Sequence, residues 1–180
     1  MRSLTPLSFY QVNHGQTELL YDIAEEFAGL NGDELLLDLY CGAGSIGLSM
    51  AGKVRKVIGV EIVPEAVTDA RVNADLSGIG GVEFICGDAA ESAKLLLERG
   101  DNPDVVILDP PRSGCDESLI DAVCEMSPSR IVYISCDVAT QARDIKLFGT
   151  MGYSLTSVKG VDMFPRTAHV EAVALLTKNN

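Results

Sequence analysis

Five short apolar runs, each followed by a segment of helix length, constrain this chain more than any single residue does. LLLDL (35–39), VIGVEI (57–62), VEFIC (82–86), VVILD (105–109) and IVYIS (131–135) are continuous and rich in Val, Ile and Leu. Strands buried on both faces of a parallel sheet read this way, whereas half-buried strands alternate polar and apolar positions. Helical segments are predicted at Gln16 to Ala28, Pro64 to Leu76, Ala89 to Arg99, Glu117 to Met126 and Val138 to Phe148, with Pro, Asp or Ser near their starts. Parallel neighbours need a crossover connection, so the alternation predicts an α/β fold with a mostly parallel, doubly wound sheet. The end differs. Tyr153 to Val161 and Val170 to Thr177 are separated only by DMFPRTA and then Val170's own approach, which predicts a C-terminal antiparallel hairpin at the sheet edge.

At 180 residues the chain has the size of one domain, expected to run from 1 to 180. A hydrophobic share of 47% against 22% charged residues excludes a disordered chain. No apolar run approaches a bilayer-spanning length, and MRSLTPLSFY lacks the apolar stretch of a signal peptide, so a cytoplasmic protein without membrane contact is expected. The five cysteines (Cys41, Cys86, Cys115, Cys124, Cys136) form no C-x-x-C pair, so independent reduced thiols and no metal site are expected. A net charge of −12 argues against a generic nucleic-acid surface, because phosphate binding draws on Lys and Arg.

In doubly wound sheets ligands lie beyond the carboxyl ends of the strands. After the first run comes DLYCGAGSIGL, where Gly42, Gly44 and Gly47 satisfy G-x-G-x-x-G, and Glu61 ends the second run. A glycine turn with an acid placed for ribose hydroxyls predicts a nucleoside-containing cofactor. Nicotinamide and S-adenosyl cofactors both want that acid, so other strand ends must separate them. Asp88 follows the third run, where it can receive an adenine amino group, and Asp109, Pro110, Pro111 and Arg112 follow the fourth. The double proline stiffens that loop beside Asp109. Together these strand ends look like a Rossmann-like class I S-adenosylmethionine-dependent methyltransferase.

SFYQVN, DLYCGAGSIGL, DPPRSG, YISCD and DMFPRTAHVE, in this order from Ser8 to Glu171, resemble the RNA uracil-5-methyltransferase family, which makes 5-methyluridine in tRNA and large-subunit rRNA. The resemblance implies cofactor contacts from Gln11, Tyr40, Glu61 and Asp109, beside Gly42, Gly44 and Asp88 from the strand-end reading. It also implies that Cys136 is the nucleophile and Glu171 the proton acceptor. The chain departs from the family in two places. Asp137 stands where members usually carry Asn, and nothing before Gln11 is long enough for the N-terminal RNA-binding module that members possess.

Chemistry supplies a separate reason for a thiol and a carboxylate. Uracil C5 is a weak nucleophile, but a thiolate added at C6 turns the ring into an enolate with negative charge at C5. A base must then remove the C5 proton before the thiolate departs. A free thiol with pKa ~8.5 is a few per cent thiolate at neutral pH, so the helix start after Cys136 is expected to help, with Asp137 opposing. Read without the resemblance, packing is the lesser alternative for Cys136, and an exposed edge charge is an equal alternative for Glu171. His169 is expected to be a surface or packing residue. The other four cysteines carry no expected chemistry.

The expected activity is methyl transfer from S-adenosylmethionine to C5 of a uridine flipped from its RNA, with rRNA favoured over tRNA as substrate. Its acidity is consistent with cradling one extruded nucleotide while a separate basic module holds the phosphates. Two alternatives remain open at this level: a nicotinamide-dependent oxidoreductase, from the literal G-x-G-x-x-G, and a non-catalytic RNA-binding or assembly domain. The oligomeric state is not indicated.

Overall fold

The structure, a computed structural model, describes residues 14–163 and 170–179. Seven strands form one sheet: β1 (Leu35–Leu39), β2 (Lys56–Glu61), β3 (Val82–Cys86), β4 (Val105–Leu108), β5 (Arg130–Ser135), β6 (Tyr153–Val161) and β7 (Glu171–Lys178). Their spatial order is β3-β2-β1-β4-β5-β7-β6, with β1 to β5 parallel and β7 antiparallel to both neighbours. The helices are α1 (His14–Ala28), α2 (Ser45–Met50), α3 (Pro64–Leu76), α4 (Ala89–Glu98), α5 (Glu117–Met126) and α6 (Val138–Thr150). The expected α/β class and C-terminal hairpin are present. Two details differ from the sequence reading. Six-residue α2 is too short to show a helical period, and β7 lies inside the sheet, leaving β6 as the outer strand.

Central β1 and β4 are buried along their whole length, whereas β3 at one edge is only partly covered. Successive side chains leave a strand on opposite faces. Leu35, Leu37 and Leu39 therefore pack with Ala93 and Leu96 of α4, Leu119 and Val123 of α5, and Phe148 of α6. On the other face Leu36, Val57, Ile107, Val132 and Val173 pack with Leu20, Ala24 and Phe27 of α1 and with Ile46 and Met50 of α2. The same alternation places Asp38 with Leu36, Glu61 with Val57, Asp109 with Ile107 and Glu171 with Val173. Four acids thus share one face at one end of the sheet, because antiparallel β7 begins where the parallel strands finish. Among the described residues no helix is long and apolar enough to cross a membrane.

Gly59 sits opposite Phe84 in the β2–β3 ladder, and a Cβ there would lie 2.7 Å from the Phe84 ring and 2.9 Å from Cys41 Sγ. Both neighbours are buried beneath α3. Gly59→Ala is expected to cost about 1–3 kcal/mol through overpacking, read as a lower urea midpoint at unchanged slope. An unchanged midpoint would show that the ring moves aside freely.

Candidate active site

The turn from β1 into α2 has unusual backbone geometry. Tyr40, Gly42 and Gly44 have φ of 64°, 53° and 78°. Left-handed geometry is ordinary for glycine, but at Tyr40 it costs roughly 1–3 kcal/mol, and such strain clusters at ligand sites. Gly47 has a different role: a Cβ there would meet Asp38 Oδ2 at 2.9 Å, so its bareness lets α2 approach β1. Its N–H donates to Asp38 Oδ2 at 2.9 Å. Glu61 braces the turn, with Oε2 accepting from the Gly42 N–H at 3.0 Å and Oε1 from the Val63 N–H at 2.9 Å. Each carboxylate oxygen keeps a second lone pair for a ligand hydroxyl. Burial, then the nearby Cys115, Asp116 and Asp88, pushes the Tyr40 phenol well above its ordinary range, so it remains a hydrogen-bond donor. Exposed Asp88 caps α4, its Oδ1 accepting from Ala90 N–H at 2.9 Å and Glu91 N–H at 3.0 Å. The sequence marks an Asp at the start of this helix, but the only specific role it suggests for Asp88 is an adenine contact. Gln11 and His169 lie outside the described residues.

Burial holds Asp38 up to about 7, with the Gly47 N–H opposing and the Glu61 charge adding to the rise. Asp38 is 1% exposed, and its Oδ1 has no hydrogen-bond partner among the described residues. Asp109 is pushed up to about 8 by burial, then by Glu171 and Asp38. Burial also raises Glu171, while Arg112 pulls it down. Burial, with repulsion from neighbouring carboxylates added at Asp38 and Asp109, makes this row a candidate receptor for positive charge. A sulfonium and an ammonium on one cofactor fit such a row, and the glycine turn and Glu61 fit its nucleoside.

Cys136 follows β5 directly and is half-buried. The β5–β7 ladder ends on the pair Ser135–Ala172, so Cys136 and Glu171 are the residues that stand immediately beyond it, one on each side. No periodicity in the sequence carries that pairing, since the strands are joined through α6 and β6. Cys41, Cys115 and Cys124 are pushed up, foremost by burial, to well above the ordinary thiol range, about 12 and about 11. Asp137 caps α6, with Oδ1 accepting from Ala139 N–H and Thr140 N–H, both at 3.0 Å. The Thr140 and Ala139 bonds, with the Arg112 charge behind them, hold its carboxyl below the usual range. An Asn side-chain carbonyl would cap equally, so this contact requires no amide donor. Arg112 acts electrostatically on both Glu171 and Asp137, a bridging place that its position after two prolines did not reveal.

Behind these residues, fully buried Asp144 fastens α6 to the DPPRSGC loop. Its Oδ2 accepts from Tyr133 Oη at 2.7 Å and Cys115 N–H at 2.8 Å. Its Oδ1 accepts from Arg143 Nε at 2.8 Å, and Arg143 Nη2 continues to the Ser113 carbonyl at 2.9 Å. Gly114, at φ 79°, leaves room for this carboxylate. The available sequence signal was Gln141, Asp144 and Phe148 at helical spacing, a buried stripe with two polar members.

A sheet in this order, with a glycine turn after β1, an acid ending β2 and an antiparallel β7, is the class I S-adenosylmethionine-dependent methyltransferase fold. The family model described as tRNA (Uracil-5-)-methyltransferase matches residues 5–179, and the chain belongs to that family. A Clostridium tetani protein described as an uncharacterized RNA methyltransferase is 49% identical over 175 residues, 97% of this chain and 38% of its own length. A Halalkalibacterium halodurans protein of the same description is 48% identical over 178 residues, 99% of this chain and 39% of its own. The chain thus spans about two-fifths of these relatives. The Pyrococcus abyssi tRNA (uracil-54, C5)-methyltransferase, solved with S-adenosyl-L-homocysteine, is similar at TM-score 0.84 and 33% identity over 97% of this chain and 41% of its own. A precorrin-6y C5,15-methyltransferase from Geobacter metallireducens, at TM-score 0.79 but 16% identity over 98% of this chain and 94% of its own, shares the fold.

Raised carboxyls make stability depend on pH with a definite sign. Folded Asp38 and Asp109 retain protons that the unfolded chain releases above its ordinary carboxyl pKa of 3.8. Their stabilising contribution is complete below that value and is lost as pH rises through about 7 and about 8. Without cofactor, the thermal midpoint is expected to fall between about pH 5.5 and about pH 8.5, and to fall less in Asp109→Asn. Equal slopes in the two proteins would remove Asp109 from the cause.

Proposed function

We propose that this chain methylates C5 of a uridine in RNA through a covalent bond between Cys136 and C6. The observation that carries the reading is that Cys136 and Glu171 both stand immediately beyond the terminal Ser135–Ala172 pair of the β5–β7 ladder, with the Glu171 charge acting on Asp109. Glu61 receives ribose hydroxyls on its remaining lone pairs, Gly42 and Gly44 allow close backbone approach, and Asp88 receives the adenine amino group. Asp109 and Asp38 face the cationic end, and Tyr40 and Gln11 complete the contacts. S-adenosylmethionine supplies an electrophilic methyl group. Cys136 thiolate adds to C6, forming the C–S bond and sending the C5–C6 π pair toward C5 and O4. Once C5 carries the methyl group, Glu171 takes the C5 proton, the C–H pair restores the double bond, and the C–S pair returns to sulfur. Thiolate addition leaves the opposite ring face for the methyl group, so the C5 proton ends on the thiolate's side, and a base that stands beyond the same terminal ladder pair as the thiol suits its removal. Burial raises Glu171's proton affinity, while Arg112 favours its ionised form.

Uridines of rRNA and tRNA offer this site the same ring, so both RNAs enter the assay, with rRNA the expected substrate. The net charge of −12 fits one catalytic domain that holds a single flipped nucleotide while phosphate affinity comes from elsewhere. Family membership speaks against the nicotinamide reading, and retention of thiol and carboxylate together speaks against a non-catalytic one.

Denaturing electrophoresis with radiolabelled RNA and cofactor tests the roles. Cys136→Ala is expected to give neither product nor adduct, and Glu171→Gln to accumulate protein linked to methylated RNA. Product from Cys136→Ala, or normal turnover by Glu171→Gln, would reassign the step concerned. Cofactor holding is tested separately by calorimetry with S-adenosylhomocysteine. Losing charge-assisted bonds in Glu61→Ala is expected to weaken binding by about ten- to a hundredfold, roughly 1.5–3 kcal/mol. Unchanged binding would move the ribose elsewhere.

A further inference from the structure

We propose that Gln141 is a positioning residue that fixes the gap between the nucleophile and the base, an inference that rests on the roles given to Cys136 and Glu171. Gln141 lies on α6, is 3% exposed, and donates from Nε2 to the Tyr133 carbonyl at 2.9 Å and the Ala172 carbonyl at 3.1 Å. Both acceptors are carbonyl oxygens, so the amide nitrogen, not its oxygen, must face them. Tyr133 belongs to β5 and Ala172 to β7.

The position of this bridge gives it its function. Ser135 and Ala172 form the terminal pair of the β5–β7 ladder. Immediately beyond it β5 turns into α6 through Cys136 and Asp137, while Glu171 starts β7. Backbone pairing sets strand separation inside a ladder but not past its end. Gln141 joins the three pieces meeting there: the strand leading into Cys136, the helix leading away from it, and the strand beginning with Glu171. A side chain on a helix start beside the nucleophile therefore holds the carbonyl next to the base. Attack at C6 requires only the thiol in place, whereas elimination requires thiol and carboxylate to address adjacent ring atoms together. A loosened bridge consequently impairs elimination more than attack.

The test uses Gln141→Met, which keeps the volume and removes both donors, and Gln141→Glu. Turnover with RNA by the methionine variant is expected to fall by about ten- to a hundredfold, the sensitivity of a well-oriented reaction to a displacement near 1 Å. Its share of protein covalently held on RNA should rise, while S-adenosylhomocysteine affinity stays within about threefold of wild type, because the Gln141 side chain bonds to β5 and β7 and the proposed contacts Tyr40, Glu61 and Asp88 lie at the ends of β1, β2 and β3. A buried carboxyl beside two carbonyl oxygens favours its protonated form, which still donates one bond, so Gln141→Glu should recover part of the lost turnover at about pH 6 and lose it at about pH 8.5, relative to wild type at each pH. If the methionine variant fails to fold, that pH-dependent rescue carries the test. Unchanged turnover, an unchanged adduct share, equal losses of turnover and cofactor affinity, or no rescue would each overturn the positioning role. Wild-type protein that forms no adduct with 5-fluorouridine RNA would sink the nucleophile assignment and this proposal with it. Wild-type adduct with Gln141 variants indistinguishable from it would sink this proposal alone.

Discussion

Burial of carboxylates gathered at one end of the sheet is the constraint around which the rest of this site is built. Asp38, Glu61, Asp109 and Glu171 leave their strands on one face, and the neighbours of Asp109 that raise it are Glu171 and Asp38. Such a row is unfavourable by itself, since each carboxylate loses solvation and gains a like-charged neighbour. The protein offsets this partly with backbone donors from Gly42, Val63 and Gly47 and with the charge of Arg112. What remains uncompensated would be relieved by a cationic ligand, and this is the electrostatic ground for the proposed sulfonium cofactor.

The opposite side of the site depends on α6. Its first turn follows Cys136, its cap Asp137 satisfies the first N–H groups, Gln141 spans β5 and β7, and Asp144 holds the loop that carries Arg112. Gln141 and Asp144 are buried polar groups, costly unless paired, so both must be satisfied together in one arrangement. One helix thereby sets the relations among the strand ends that bring the thiol, the base and the arginine together. Such rigid support matters for chemistry in which two protein groups act on neighbouring atoms of one ring.

Much of this was visible in the chain. The continuous apolar runs announced parallel strands because burial on both faces removes polar alternation, and the strand ends that matter followed from that reading. Gly42, Gly44, Glu61, Asp109 and Cys136 were all selected because they stand just past such runs. The carboxylate at Asp88 was selected for the same reason, yet its oxygen proved to cap α4, a local duty that strand-end position does not distinguish from ligand binding. Asp137, which stands where family members usually carry Asn, fits the capping geometry, because the helix asks only for an acceptor oxygen.

The sequence by itself determined the α/β class, the two-residue alternation within each strand and the set of residues beyond the strand ends, since these depend on local burial and turn chemistry. Only the tertiary structure decided that β7 inserts between β5 and β6, and with it the placing of Glu171 and Cys136 just beyond one terminal ladder pair and the bridge from Gln141. Strand neighbours separated by a helix and another strand are chosen by packing over the whole sheet, and no local pattern of residues encodes that choice.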